Sequence, residues 1–203
     1  TEEGTCDPDG EIAGHGYVDL GLPSGKKWAT CNVGATSPED YGDYFAWGET
    51  SPKASYTENT YQHWNDADGN GWCDSGEVTI NSDISGNAQY DAATANWGGS
   101  WRMPTKEEMQ ELEDHCEWVW TEVNGVSGSK VIGPNGSYIF LPAAGYRYST
   151  LLNYDGDNGR YWSSTPYDND NDTYACDVYF GIGGANVYVG NRFDGQTVRP
   201  ITE

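Results

Sequence analysis

The sequence predicts an α+β fold, in which one or two main helices are combined with many short antiparallel strands and long loops. Two observations lead to this prediction. A single stretch, beginning at Thr105, has both a helical start signal and an apolar stripe at helical spacing. Elsewhere, short aromatic or β-branched runs are separated by Gly, Asn and Asp, which is typical of strands joined by turns.

The main helix is predicted to run from Thr105 to about Trp118. Thr105 and Glu108 have the spacing of a capping box, in which each side chain bonds the backbone amide of the other residue. Met109, Leu112 and Cys116 follow at three- and four-residue steps and form one apolar stripe. Weaker helical turns are predicted at residues 37–40, where Pro follows a capping Ser, and at residues 90–96.

Strands are predicted on both sides of the main helix. Asn124-Gly125 and the Gly-rich residues 181–184 indicate tight turns between consecutive strands. Residues 50–100 are predicted to be mostly loop. The predicted strands are residues 17–20, 27–31, 44–47, 118–121, 131–132, 138–141, 160–165, 173–180, 185–189 and 197–201.

The composition is strongly acidic and aromatic. The 203 residues include 32 acidic and 10 basic side chains, for a formal charge of −22, together with 9 Trp, 15 Tyr and 4 Phe. This charge disfavours nucleic acid and anionic membrane surfaces as partners, and the aromatic content argues against disorder. The length fits a single domain, which we place at residues 17–203 after a polar leader at residues 1–16.

The sequence favours an exported protein. No apolar run reaches the roughly 20 residues that span a bilayer, and the polar start is that expected downstream of a removed signal peptide. We expect an extracellular or cell-surface location, with no transmembrane segment in this chain and a lipid anchor upstream as one means of attachment.

Five cysteines, Cys6, Cys31, Cys73, Cys116 and Cys176, form no CxxC pair, which argues against a zinc site. Their odd number does not fit a full disulfide framework. A single bridge between Cys31 and Cys116 and a set of free thiols are both compatible with the sequence.

Residues 66–77 have the spacing of a twelve-residue calcium-binding loop. Gly71 at position six permits the sharp turn, and oxygen-bearing side chains surround it. Because residues 78–80 predict a strand, we do not expect a helix on both sides of the loop; an acidic surface loop without metal is the alternative. The predicted ligands of a structural Ca²⁺ are Asp66, Asp68, Asn70, Trp72 through its carbonyl, Asp74 and Glu77.

The C-terminal region, residues 160–196, predicts a binding face. Val178 and Phe180 alternate with polar residues in one strand, and the hairpin partner repeats the pattern. Period-two alternation directs the apolar set to a core and the Tyr, Asn and Asp set to one exposed face. Tyr offers a large contact area and a hydroxyl at low entropic cost, as in antibody paratopes. An ordinary solvated sheet face is the alternative.

Six separated segments carry a family resemblance: residues 18–25, 28–34, 97–105, 141–147, 161–165 and 198–200. Together they resemble the Fibrobacter-succinogenes-type major paralogous domain of secreted and lipid-anchored proteins in Bacteroides-like bacteria. The resemblance covers nearly the whole chain from about Tyr17 onward. It implies a C-type-lectin-like fold, in which the terminal strands pair and a long loop region carries the ligand site.

The C-terminal region is also similar to the variable segment of proteins that retroelements diversify. The resemblance implies that Trp162, Val187, Val189, Gly195 and Arg199 are scaffold positions. The calcium-like loop is an addition to the family pattern. The binding face that the resemblance implies consists of Tyr167, Asp168, Asn169, Asp170, Asn171, Asp177, Tyr179, Asn186, Tyr188, Asn191, Phe193 and Asp194.

These observations predict an adhesin-like or receptor-like domain that binds a protein or glycan on another cell or surface. The alternative is a structural or assembly module of a surface lipoprotein or pilus tip. Exposed aromatic rings at Tyr167, Tyr179 and Tyr188 would favour the first, and rings buried against the protein's own loops the second.

Catalysis is not expected. The chain lacks the closely spaced cysteine pair of formylglycine-generating enzymes, which share the fold that the resemblance implies, and it has no Gly-x-Ser-x-Gly nucleophile turn. The Glu-Pro-Asn and Gln-Pro-Asp tripeptides of calcium-dependent sugar-binding lectins are also missing from the sequence, so sugar binding of that type is not expected.

Overall fold

The computed structural model describes residues 8–167 and 172–203, and their structure is mostly β-sheet. Strands make up 38% and helices 10% of the chain, in four small antiparallel sheets with one helix of seven or more residues among the described parts. The predicted α+β, C-type-lectin-like class is therefore wrong. The second helix is too short to raise the helix content much, because it ends after six residues at Gly98, where φ is +65°.

Twelve strands and two α-helices follow one another along the described chain, with a single 3₁₀ turn at Glu58–Thr60. The helices are α1 (Ala92–Trp97) and α2 (Lys106–His115). The strands are β1 (Gly10–Ile12), β2 (His15–Asp19), β3 (Lys27–Ala29), β4 (Glu117–Val123), β5 (Val126–Ile132), β6 (Tyr138–Pro142), β7 (Tyr146–Tyr148), β8 (Leu151–Asn153), β9 (Asn158–Pro166), β10 (Tyr174–Gly181), β11 (Gly184–Asn191) and β12 (Ile201–Thr202).

The first sheet, in the order β1-β2-β3-β12, joins the N-terminal and C-terminal parts of the fold. Ile201 of β12 stands opposite Trp28 of β3. β1 and β2 form a hairpin with Gly10 opposite Tyr17. Residues 10–16, which the sequence pattern assigns to a polar leader, are therefore part of the folded domain.

Helix α2 has the predicted capping box. The Thr105 hydroxyl accepts from the amide of Glu108 at 3.3 Å, and the Glu108 carboxylate accepts from the amide of Thr105 at 2.8 Å. The helix ends at His115, three residues before the predicted end. Cys116 is extended, with φ −109° and ψ 150°, and leads directly into β4.

The short helix predicted at residues 37–40 does not form. The Asp40 carboxylate accepts hydrogen bonds from the amides of Thr36 at 3.2 Å and Ser37 at 3.0 Å. These local bonds satisfy the amides in a turn, which is how a short acidic side chain competes with helix formation.

The four cysteines in the described part of the chain, Cys31, Cys73, Cys116 and Cys176, are free. The bridge between Cys31 and Cys116 that the sequence leaves open is therefore not formed, and Cys6 lies outside the described residues. No helix of the described residues is both long and apolar enough to cross a membrane.

The sheet β11-β10-β9 separates two hydrophobic cores. On one face, Val178 and Phe180 pack in the cluster that includes Leu112 of α2. On the other face, Trp162 and Ala175 pack in a second cluster. This second cluster covers only part of its face, so the remainder, towards the β10–β11 turn, is left open to solvent.

Candidate functional site

Arg160 lies on the open part of the β11-β10-β9 face. In the register of the sheet it stands opposite Tyr179, which in turn stands opposite Asn186. The guanidinium carbon of Arg160 lies 5.1 Å from the ring centre of Tyr179, 5.9 Å from that of Tyr188 and 5.6 Å from that of Tyr146 in β7. Three rings from three strands therefore surround one cation. We call these five residues the Arg160 surface.

The Arg160 surface presents its aromatic rings to solvent. The side chain of Tyr188 is 58% exposed and Tyr179 is half-buried. Tyr154, which is 59% exposed, stacks on Tyr146 with ring centres 6.1 Å apart and so extends the surface beyond β8. Between Arg160 and Tyr188 lies a cavity of about 470 Å³. Exposed rings that are already ordered by their neighbours are well suited to binding.

Asp177 is predicted on the exposed face, but the structure buries it completely. It stands opposite Trp162 in the register, where the second core covers the sheet. Arg160 Nη1 lies 3.2 Å from Asp177 Oδ2, and Gln196 Nε2 donates to the same oxygen at 2.8 Å. Burial raises the pKa of Asp177 to about 6, and the charge of Arg160 opposes this shift. Asp177 therefore forms a buried ion pair with Arg160 and is not part of the exposed surface.

Phe193 and Asp194 are also buried, which corrects their predicted exposure. Phe193 packs in a third apolar cluster with Tyr44 and Tyr56. Asp194 accepts a hydrogen bond from Asn191 Nδ2 at 3.1 Å, and burial raises the pKa of its carboxyl to about 7. The resemblance that implied their exposure fails here because the segment after β11 packs against the third apolar cluster.

The remaining residues of the predicted face have different positions. Asn186 is exposed, Asn191 is half-buried, and Tyr167 is half-buried with its ring edge against Tyr174, at 6.5 Å between centres. Two of the implied scaffold residues, Trp162 and Arg199, are fully buried. Asp168, Asn169, Asp170 and Asn171 lie outside the described residues.

Sequence reasoning missed Arg160, Tyr146 and Tyr154 as parts of the site. Arg160 is one of only ten basic residues in a chain with 32 acidic ones, which could have drawn attention to it. Tyr146 lies at the edge of the family-like segment 141–147. Its distance from Arg160 depends on how β7 packs beside β9, and no local sequence pattern encodes that packing.

In the predicted calcium loop, three of the six predicted ligands converge. Oxygens of Asp66, Asp68 and Glu77 lie within 4.8 Å of one another and could hold a metal ion. Asn70 and Asp74 are attached to this triad by hydrogen bonds: Asn70 Nδ2 donates to Asp68 Oδ2 at 2.9 Å and to Asp74 Oδ2 at 2.7 Å. The Asn70 amide thus separates two carboxylates that would otherwise repel each other.

The flanks of this loop pair as a β-bridge, as residues 78–80 predict. Trp64 stands opposite Val78, and no helix borders the loop. Gly71, at the sixth loop position, has φ +80°, a left-handed conformation that favours glycine. The indole of Trp64 donates to Glu77 Oε2 at 3.0 Å, and this bond lowers the pKa of Glu77. This contact therefore favours the charged form of Glu77.

The calcium-like loop also borders the C-terminal sheet. Gly76 donates its amide to Asp172 Oδ1 at 2.9 Å. A cavity of about 490 Å³ has Trp72 and Asp74 of the loop on one side and Tyr174 and Asn191 of the sheet on the other. Tyr174 and Asn191 also line a second cavity beside Arg160, so the loop and the Arg160 surface border neighbouring cavities.

Comparison with known proteins gives one match, in the C-terminal part of the chain. Residues 126–201, from β5 to the first residue of β12, are similar to a domain of unknown function (DUF8237). No curated protein and no solved structure matches the chain. The matched segment contains the β11-β10-β9 sheet and all five residues of the Arg160 surface, while the calcium-like loop lies outside it.

Proposed function

We propose that this chain is a ligand-binding module of an exported protein, and that the Arg160 surface is its binding site. The partner is a protein or glycan on another cell or surface. The observation that supports this most directly is the arginine held among three tyrosine rings on the open part of a sheet face.

The residue types of this surface suit recognition. Arg and Tyr are enriched among the residues that dominate binding energy at protein interfaces. Each cation–π contact contributes about 0.5–1 kcal/mol at exposed sites. The three rings therefore limit the motion of the Arg160 side chain before a partner binds. A pre-ordered surface loses less conformational entropy on binding.

Other reactive groups of the described chain favour binding over catalysis. Burial raises the pKa of Cys73 to about 12 and that of Cys116 to about 11, so both thiols stay protonated at neutral pH. His15 is stacked on Trp97 with ring centres 3.7 Å apart, and burial lowers its pKa. His63 is fixed by a contact of 2.8 Å to the Gly48 carbonyl.

The test compares two variants on glycan and peptide arrays. Arg160→Gln removes the central cation, while Lys130→Gln removes a cation that lies 3.8 Å from the ring centre of Tyr138 on a different sheet. We expect a ligand that binds wild type and Lys130→Gln alike and binds Arg160→Gln at least about tenfold more weakly. If every ligand binds both variants equally, the Arg160 surface is not the site.

We further propose that residues 66–77 bind one structural Ca²⁺. The triad Asp66, Asp68 and Glu77 supplies hard oxygen ligands. Asp74 is linked to this triad through Asn70, whose side-chain NH₂ group donates to both Asp68 and Asp74. A cation at this position would replace the Asn70 NH₂ group that now donates to the two carboxylates. The side-chain oxygen of Asn70 would then turn towards the ion, as the loop spacing predicts.

Calcium is expected to raise the melting temperature. At a concentration about 100-fold above the dissociation constant, binding adds about 2.7 kcal/mol to the free energy of unfolding, which corresponds to roughly 5 °C or more for a domain of this size. Calorimetry with and without EDTA measures the shift. Glu77→Gln should abolish it and the exposed control Glu122→Gln should retain it; an equal shift in both variants would place the ion elsewhere.

A further inference from the structure

Beside Arg160, a cavity of about 160 Å³ opens between β7, β9 and β11, separate from the larger one in front of Tyr188. Its wall includes Arg160, Tyr146, Tyr174, Gly190, Asn191 and Asp194. It is therefore bounded by two aromatic rings and by a buried carboxyl group.

Asp194 is a buried carboxyl group without an ion-pair partner among the described residues. The residue is only 6% exposed, and its Oδ1 has no hydrogen-bond partner in the structure. Within residues 8–167 and 172–203, no Lys, Arg or His nitrogen lies within ion-pair distance of it; Arg160 instead forms its ion pair with Asp177. A buried carboxylate is normally paired or neutralised, because removing it from water is costly.

Two further acceptors lie below the cavity without donors. Asp177 Oδ1 and Gln196 Oε1 are both buried and have no hydrogen-bond partner. Gly190 forms the intervening wall, and a Cβ there would collide with Gln196 Nε2 and crowd Trp162 and Asp177. The glycine thus allows the sheet to approach these polar groups closely. When Asp194 is ionised, the cavity therefore contains a carboxylate without an ion-pair partner.

The charge and the hydrogen-bonding groups of the cavity determine which class of ligand it can bind. An anion would add to the uncompensated charge, and a neutral hydroxyl would supply a donor but leave the charge unpaired. A small organic cation supplies both a hydrogen-bond donor for Asp194 Oδ1 and the opposite charge. The charge of −22 on the whole chain also attracts cationic partners.

We propose that this cavity binds an alkylammonium group of the partner, of the kind carried by a lysine side chain, and that Asp194 is its counterion. The inference rests on the proposed function, since the cavity shares Arg160 with the binding surface, and it narrows the partner to one that presents a primary amine. The bulk of the partner then lies on the tyrosine rings, while the amine enters beside β11.

The test titrates the whole protein with n-butylammonium and, separately, with n-butanol, and follows the backbone amide resonances of Gly190 and Asn191. The titration is run at pH 8, because burial, together with the charges of Glu58 and Asp177, raises the pKa of Asp194 to about 7 against the opposing effects of Arg160 and Asn191. We expect saturable shifts with the ammonium and none with the alcohol at equal concentration. Equal responses to both probes would overturn the proposal.

Two variants locate the counterion. Asp194→Asn keeps the shape and the hydrogen bond partners and should weaken n-butylammonium binding at least about tenfold, whereas Asp157→Asn removes an exposed carboxylate and should leave it unchanged. Unchanged affinity in Asp194→Asn would overturn the assignment. If the ammonium fails to bind but an Arg160-dependent ligand exists, only this inference fails; if the ammonium binds and no ligand depends on Arg160, the proposed function fails instead.

Discussion

Replacing Arg199 with methionine is expected to lower the free energy of unfolding by about 3–5 kcal/mol. Arg199 is fully buried, and its guanidinium donates to the carbonyls of Ala29, Thr30 and Phe140 at 2.9–3.0 Å and to Asn32 Oδ1 at 2.8 Å. One side chain therefore joins the end of β3 to β6. Methionine fills a similar volume but leaves these buried acceptors without a donor.

Urea unfolding measures this change. Lys130→Met is the matched control, since it also removes a long cationic side chain but breaks no buried hydrogen bond to the backbone; we expect a loss within about 1 kcal/mol. Arg199→Lys retains the charge but cannot reach all four acceptors and should fall in between. A loss below about 1.5 kcal/mol for Arg199→Met would show that the acceptors find other donors.

The second large effect is a pH dependence caused by Asp194. Its pKa rises from an ordinary value of 3.8 to about 7 on folding. Between these pH values the folded state holds a proton that the unfolded state has lost, so the stability contribution is full below pH 3.8 and is lost as the pH rises through about 7. The difference amounts to roughly 4 kcal/mol across this window.

The measurement is the free energy of unfolding of wild type and Asp194→Asn from pH 4 to 8 in EDTA. We expect the stability of wild type to fall relative to the variant as the pH rises. Asp177, with its pKa raised to about 6, contributes with the same sign and titrates together with Asp194, but it remains in both proteins. Asp157→Asn should run parallel to wild type. A constant difference between wild type and Asp194→Asn would contradict the burial argument.

The features that were predictable from the sequence are local ones. The capping box of Thr105 and Glu108 is encoded by three-residue spacing and forms as predicted. The converging carboxylates of Asp66 and Glu77 follow from the spacing of a turn-rich loop. The apolar half of the alternation in β10 is also correct, because Val178 and Phe180 are buried.

The features that depend on distant packing were not predictable. Alternation places Asp177 on the face opposite Val178, which is right, but the chain after β11 returns and covers that part of the face with Gln196. The overall class was wrong because the second helix has only six residues, which leaves one helix of seven or more residues among the described parts and a structure that is mostly β-sheet. The role of Arg160 in β9 depends on β7, β10 and β11, which bring three tyrosines around it.

The most direct measurement of the central claim is the affinity of Tyr188→Ala for the ligand that the arrays identify. Because Tyr188 is exposed, its removal should change the free energy of unfolding by less than about 1 kcal/mol, yet weaken binding at least about tenfold. Tyr138→Ala, which removes a tyrosine from a cation–π contact on another sheet, is the control and should bind as wild type. Wild-type affinity in Tyr188→Ala would contradict the account.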